Sequence, residues 1–339
     1  MENTYWVHDW SPFLVRFGEN IGVRWYGLAY VLGFVIALWL LRMYRRRGLS
    51  PFGADDRTIL LGSIIVGTLV GGRLGFVLLY RPDLLSENPG AVFAVWEGGM
   101  ASHGGIVGIG LALWWFTRRF NRRQSGQEPK AETPRKVPAA KGKPASATEP
   151  SSTEASADAE PSLAVGRLSW WHVADIVVTL GPPGIFLGRV ANFINGELWG
   201  KIGTVPWAVI FPDAQVAPHF NPNAATVFSE QLGRLVNPRH PSQLYEAALE
   251  GLVLGIYLHW RFWRSGITAR FGRNGRVGIP GQLSGEFLIA YAVLRIIGEA
   301  FREPDADLIL GLSRGIFYSL FMILAGAGII WWARTQRRA

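Results

Sequence analysis

Residues 21–41 read IGVRWYGLAYVLGFVIALWLL, and the chain turns basic straight after them, at Arg42, Arg45, Arg46 and Arg47. Within the stretch only Arg24 is charged, close to its beginning. About twenty apolar residues wound as a helix match a bilayer core of about 30 Å. The arginines just beyond mark the end held in the cytoplasm. Working outward, six more blocks of this kind follow, at 59–80, 99–117, 170–194, 242–260, 282–301 and 308–333. The sequence therefore predicts an all-α polytopic membrane protein of about seven transmembrane helices. The leader begins Met1-Glu2, is not basic, and is followed by no small-residue cleavage site. The first block is expected to stay as a span rather than leave as a signal peptide.

The basic residues are not spread evenly. They follow span one, fill the segment between spans three and four (Arg118, Arg119, Arg122, Arg123, Lys130, Arg135 and others), lie between spans five and six (Arg261, Arg264, Arg270, Arg273, Arg276), and close the chain at Arg334, Arg337 and Arg338. The alternate loops hold far fewer. The positive-inside rule then sets the N-terminus outside and the C-terminus in the cytoplasm, which an odd number of spans also requires. A net charge of +9 confined to loops argues against nucleic acid as a partner. The chain has no cysteine, which excludes disulfides, thiolate metal sites and a cysteine nucleophile of its own. Any thiol chemistry would take its thiol from a substrate.

These signals divide the chain into helices one to three at 1–121, a linker at 122–166, helix four at 167–194, an outer segment at 195–240, and helices five to seven with a basic tail at 241–339. Residues 122–166 are rich in Pro, Ala, Ser, Glu and Lys and offer little to bury, so a disordered cytoplasmic loop is expected. Residues 195–240 lack a clean period and are expected to form a small extracytoplasmic cap, with a strand near Trp207 to Phe211. Gly67, Gly71 and Gly75 in span two, and Gly104, Gly108 and Gly110 in span three, are read as packing surfaces where helices approach closely. Trp25, Tyr26, Tyr80, Trp170, Trp171, Trp331 and Trp332 fall near span ends, as an interfacial belt would.

Ionisable residues inside spans cost several kcal/mol on insertion scales, so their depth is informative. Arg24, Tyr26, Arg73, Tyr80, His103, Arg189, Asn192, Gln243, Glu246, Glu250, Tyr291, Arg295, Glu299 and Arg302 all fall in the outer halves of their spans; Asp175, Glu286 and Arg314 do not. The pattern points to one polar cavity open to the outer leaflet and lined by arginines. Snorkelling to headgroups would explain Arg24 and Arg302 as well. Arg73, Arg189 and Arg295 lie a turn or more deeper. Tyr291, Arg295 and Glu299 share one helix face at spacing i, i+4, i+8, and Glu299 is the evident partner for Arg295. Guanidinium forks suit phosphate, and at this depth the available phosphate is a phospholipid headgroup. His103, beside Gly104 and Gly105, is a candidate general base, or a histidine hydrogen-bonded between helices. No histidine spacing suggests a metal site, and no cofactor is called for.

The segment from Gly188 to Gly200, GRVANFINGELWG, resembles the signature of bacterial prolipoprotein diacylglyceryl transferases. So do Arg239 to Glu246 (RHPSQLYE), Ser102-His103-Gly104-Gly105, Gly72-Arg73-Leu74-Gly75, Arg24-Trp25-Tyr26-Gly27, and the face formed by Tyr291, Arg295, Glu299 and Arg302. Lys201 stands where relatives often carry Arg, and the 122–166 segment is longer than usual. The resemblance implies an enzyme of the bacterial cytoplasmic (inner) membrane, multi-pass, with its active site facing the outer leaflet. It implies transfer of the diacylglyceryl group of phosphatidylglycerol to the lipobox cysteine of a prolipoprotein, with glycerol 1-phosphate leaving. The family's important positions fall on Tyr26, His103, Arg189, Asn192, Glu197, Gly200, Tyr291, Arg295 and Glu299. From these, Arg189 and Arg295 are expected to grip the phosphate, helped by Arg73, while Asn192, Asn195 and Glu197 orient the headgroup glycerol. His103 is the leading base for the thiol, with Tyr26 and Glu299 as rivals. The competing classes are a membrane lipid or anion transporter, which would show internal repeats and a midplane site, and a non-catalytic export scaffold.

Overall fold

The structure is a computed structural model that describes residues 5–18, 21–93, 99–126, 167–216, 218–264, 279–304 and 308–336, leaving aside the side chains at 89, 91, 102 and 103. The chain divides into two compact units, Met1–Ser50 with Ser169–Ala339, and Pro51–Leu168. Every apolar block of the sequence is helical. In the first unit these are α1 (Trp25–Arg46), α5 (Trp170–Val177), α6 (Gly181–Ile194), α7 (Ser242–Glu246) running through a π-helical segment (Ala247–Val253) into α8 (Leu254–Arg264), α9 (Gln282–Glu299) and α10 (Arg314–Gln336). The second unit has α2 (Ala54–Tyr80), the short α3 (Leu84–Glu87) and α4 (Ser102–Gln124).

By length and composition, four stretches suffice to cross a membrane: α1, α2, Trp170–Ile194 and α10. The other three blocks are helical too but are less purely apolar or less regular. α4 ends in Arg118, Arg119, Arg122 and Arg123, the 242–264 helix is interrupted by its π turn, and α9 carries Glu286, Arg295 and Glu299. The span predicted at 170–194 is present as one apolar stretch, but its helix is interrupted by a turn at 178–180 between α5 and α6. Pro182 and Pro183 lack the N–H needed to continue a helix and instead sit in the first turn of α6. Of the linker predicted at 122–166, residues 122–124 complete α4, and the stretch from 127 on lies outside the described residues.

In the second unit the glycine stripes do what their spacing predicts. A Cβ on Gly67 would come within 2.5 Å of the Gly108 carbonyl oxygen, and one on Gly71 within 2.3 Å of the Gly104 oxygen. Backbones this close are open only to glycine. Gly110 takes no part, since nothing lies within 4 Å of its Cβ position. Arg73 is buried on the same unit, where its Nε and Nη1 donate to the carbonyls of Val92 and Gly99, each at 3.3 Å.

In the first unit the segment 195–240 folds with the N-terminus. β1 (Trp6–Val7) pairs in parallel with β4 (Val209–Ile210), the strand expected near Trp207 to Phe211. β2 (Phe13–Arg16) and β3 (Gly22–Arg24) form a hairpin that leads into α1, and β5 (Val227–Ser229) pairs with β6 (Arg234–Val236). Asn237 ties the segment internally through Gln215, Asn221 and Ala225. Arg239, fully buried, donates to the carbonyls of Gly200 at 3.0 Å and His219 at 2.5 Å and pairs with Glu303 at 3.3 Å.

Candidate active site

The site is built where α6, the helix from Ser242 and α9 meet within the first unit. Each of these helices is largely apolar and brings charge to one short stretch. α6 brings Arg189; α7 and the π segment bring Glu246 and Glu250; α9 brings Arg295 and Glu299, with Arg302 just past its end. These six groups form one network. Arg189 holds Glu246 at 2.9 Å and Glu250 at 3.1 Å, and Arg295 holds the same two carboxylates at 2.7 and 3.2 Å. The two guanidinia and two carboxylates thus close a ring of alternating charge. Arg302 adds a contact to Glu246 at 3.2 Å, and Glu299 pairs with Arg295 at 3.2 Å.

The side chains of Glu246 and Glu250 are fully buried, while those of Arg189 and Arg295 keep 17% and 14% of their exposure. The arginines therefore present the reachable edge and the carboxylates stand behind them. A buried ion pair is tolerable only when its remaining polar atoms are satisfied, and here the ring does that. The π turn helps to place Glu250. Gly251 follows it, and a Cβ there would come within 2.5 Å of Phe186 Cβ and 2.9 Å of its backbone nitrogen. The helix carrying Arg189 consequently packs directly on the π segment. Such π turns recur at functional sites.

A second cluster adjoins the ring through α6 and α7. Asn192, one turn beyond Arg189, donates to Glu197 Oε1 at 2.9 Å and to the Tyr26 hydroxyl. The Tyr26 hydroxyl is also hydrogen-bonded to Glu197. Asn195 reaches the same Glu197 oxygen at 3.4 Å, and Gln243 donates to the Glu197 carbonyl at 2.7 Å. Tyr26 is therefore part of a polar cluster. Gly196 and Leu198 both have positive φ, +68° and +57°. For Leu198 that conformation is strained, and strain of this kind collects where backbone geometry is tightly determined. Gly200 lets the loop cross two backbones: its N–H donates to the His240 carbonyl at 2.9 Å, and a Cβ would meet the Phe301 carbonyl oxygen at 2.6 Å. Lys201 caps α9 by donating to the Ala300 carbonyl at 2.9 Å.

The structure thus unites Tyr26, Arg189, Asn192, Asn195, Glu197, Gly200, Arg295 and Glu299 in one unit. Tyr291 lies one turn before Arg295, close enough to feel the charges of Glu250, Arg295, Arg189 and Glu246. Arg73 and His103 belong to the other unit. His103 stands in the first turn of α4, and its side chain lies outside the described residues. Sequence reasoning put Glu246, Glu250 and Arg302 in the polar cavity but gave them no role in the site. Their signal was present: two acids one turn apart in an apolar helix, with no cation on that helix's same stretch, demand partners from elsewhere. Among the described residues no group of three or more histidines or carboxylates is disposed to hold a metal ion.

A largely helical chain whose apolar helices include four stretches long enough to cross a membrane, with half-buried arginines paired to glutamates between them, defines a class of membrane-embedded proteins. The model of the family described as prolipoprotein diacylglyceryl transferase matches residues 12–127 and 162–332, both units included, and the chain belongs to that family. Two relatives named phosphatidylglycerol–prolipoprotein diacylglyceryl transferase, from Photorhabdus laumondii and Ruegeria pomeroyi, are each 36% identical. Those alignments cover 98% and 96% of this chain and 96% of each relative. A third of the same name, from Rhodospirillum centenum, is 37% identical over 94% of this chain and 90% of its own length. Four apolar helices and this membership make the chain an integral membrane protein.

Proposed function

We propose that this chain transfers the diacylglyceryl group of phosphatidylglycerol to the lipobox cysteine thiol of a prolipoprotein, the first step of lipoprotein maturation. The relatives' names supply the two substrates, and the Arg189–Glu246–Arg295–Glu250 ring is the observation that carries the chemistry. Its two guanidinia are fixed in separation by shared carboxylates, so they are preorganised for an oxyanion that gains charge as the ester bond breaks. In this reading Arg189 and Arg295 hold the phosphate. Asn192, Asn195 and Glu197, already hydrogen-bonded to one another and to Tyr26, orient the headgroup glycerol.

The reading includes seven spans, with the N-terminus outside and the C-terminus in the cytoplasm of a bacterial inner membrane. The loop charges support that orientation, and the site then faces the outer leaflet, where secreted prolipoproteins emerge. Reconstitution of the purified chain with phosphatidylglycerol labelled in its acyl chains and a lipobox peptide tests the function. Label joined to the peptide cysteine by a thioether is the expected outcome. Label that only crosses the bilayer would replace the transferase with a transporter.

A further inference from the structure

We propose that Glu299 is the catalytic residue that takes the proton from the attacking thiol, through its Oε2 atom. The assignment rests on the transferase reading above. Both oxygens of Glu246 are bound, Oε1 by Arg295 and Arg302 and Oε2 by Arg189. Both oxygens of Glu250 are bound as well, Oε1 by Arg295 and Oε2 by Arg189. Glu299 gives Oε1 to Arg295 at 3.2 Å, and its Oε2 is buried with no hydrogen-bond partner among the described residues. It is the one carboxylate oxygen of the network left so, on a side chain only 7% exposed.

A buried ionised oxygen without a donor is costly, and a site that keeps one is a site for an incoming hydrogen. The group cannot easily swing away to satisfy itself. Its carboxylate is seated against the first turn of α10, where a Cβ on Gly315 would fall 2.3 Å from Oε1 and 3.0 Å from Oε2. The other rival in the same unit is already engaged, because the Tyr26 hydroxyl is committed to Glu197 and Asn192.

Charge balance gives the assignment its chemical sense. The network carries three arginines and three glutamates and is neutral before a phosphate arrives. In the reaction the sulfur electron pair forms the bond to the glyceryl carbon. The carbon–oxygen bond to phosphate breaks, and its pair stays on the phosphate oxygen. The thiol proton passes to Glu299 Oε2, and from there to the departing phosphate or to solvent. As Glu299 becomes neutral its Oε1 loosens its hold on Arg295 Nη2, in the same step in which the phosphate gains a negative charge. The freed donor is thus handed to the group that needs it, and the total charge within the site stays constant.

The test compares two nucleophiles on the reconstituted full chain: a lipobox peptide with cysteine, and the same peptide with selenocysteine, whose selenol is already ionised at neutral pH. Glu299→Gln is expected to slow transfer to the cysteine peptide by roughly 10²–10⁴-fold, the range for loss of a general base. The selenocysteine peptide is expected to recover at least tenfold of that loss, with phosphatidylglycerol affinity within about threefold of the parent. An equal loss with both peptides, or no loss, overturns the assignment. Should the Gln variant not fold, Glu299→Asp is put through the same comparison, and there too a loss that selenium does not relieve overturns it. If the parent chain labels neither peptide, it is the transferase reading that fails and not the role of Glu299.

Discussion

The helix from Ser242 to Arg264 and its neighbour α9 carry two Arg–Glu clusters, and the two are finished differently. Toward the α8 end, Glu286 receives Arg261 through two hydrogen bonds, at 2.7 and 2.5 Å, with Gln282 at 2.8 Å and Tyr257 at 3.2 Å completing its shell. Every oxygen of that carboxylate is committed. Toward the α7 end, six charges share a network in which two arginines keep a reachable edge and one carboxylate oxygen is left open. A saturated pair joins two helices and offers nothing further. An unsaturated network, held rigid by its own ring, has capacity left for a substrate. The same residue types thus build a fastener in one place and a reaction site in the other, and hydrogen-bond accounting separates them.

The largest expected effect breaks the comparison outright if it fails. Arg189→Lys and Arg295→Lys each replace a fork by a point charge. Each is expected to lower kcat with phosphatidylglycerol and a lipobox peptide by about 10²–10³-fold, the loss typical of removing one oxyanion donor. Arg261→Lys, made at the fastener, is expected to leave the rate within about twofold. Equal losses at all three positions, measured in the reconstituted system, would mean that both clusters serve the fold alone.

Gly251→Ala probes how the open cluster is held without touching its charges. The added methyl must push α6 off the π segment, because it would meet both the side chain and the backbone of Phe186. Overpacking of this sort costs about 1–3 kcal/mol. The displacement also moves Arg189 relative to Glu250, and misplacement by about 1 Å can cost up to 10² in rate. A tenfold or larger drop in kcat/KM is the expectation, and an unchanged rate would show that Arg189 does not depend on this packing. Glu286→Gln is the counterpart at the fastener. It weakens charge-assisted hydrogen bonds worth about 1.5–3 kcal/mol, so the thermal midpoint in detergent falls while activity per folded molecule holds. A fall in activity without a fall in midpoint would move Glu286 into the site.

Much of this contrast was legible in the chain. All seven helical blocks follow from runs of apolar residues, and the depth of Arg189 and Arg295 within them already marked a polar site. The pairing of Arg295 with Glu299 follows from i, i+4 spacing and is present at 3.2 Å. What spacing could not give was the stronger partner. Glu246, at 2.7 Å from Arg295, lies 49 residues away on another helix. Contacts across helices depend on which faces meet, and the π turn after Glu246 rotates those faces in a way no 3.6-residue period announces. The turn at 178–180 between α5 and α6 and the pairing of β1 with β4 escaped for the same reason, since both are decided by tertiary packing. Asp175 looked like a charge out of place in its span. It accepts hydrogen bonds from the backbone of Gly281 and from both the backbone and hydroxyl of Ser284, and so caps the start of α9 from a distance.

The smallest effect separates the two clusters by pH. The open cluster hangs from the start of α7, and His240 stands just before it. Trp207 donates to the Tyr245 hydroxyl at 2.6 Å, so the tyrosine's own hydrogen is free to go to His240 Nδ1, 3.2 Å away. Burial lowers the pKa of His240 below its ordinary value, and a protonated ring could no longer accept that hydrogen. The sign follows from the lowered pKa. Above about pH 6.5 the ring is neutral whether the chain is folded or not, and the contribution to stability is complete. As pH falls below that value the unfolded chain takes the proton first, and stability is lost until the folded ring titrates as well. The thermal midpoint is therefore expected to drop modestly between pH 7 and pH 5.5, and His240→Gln, which cannot titrate, should flatten that slope. Glu286 accepts from Arg261, Gln282 and Tyr257, none of which titrates in this range, so Glu286→Gln should lower the midpoint by the same amount at both pH values. A slope unchanged by His240→Gln would place the acid sensitivity elsewhere in the molecule.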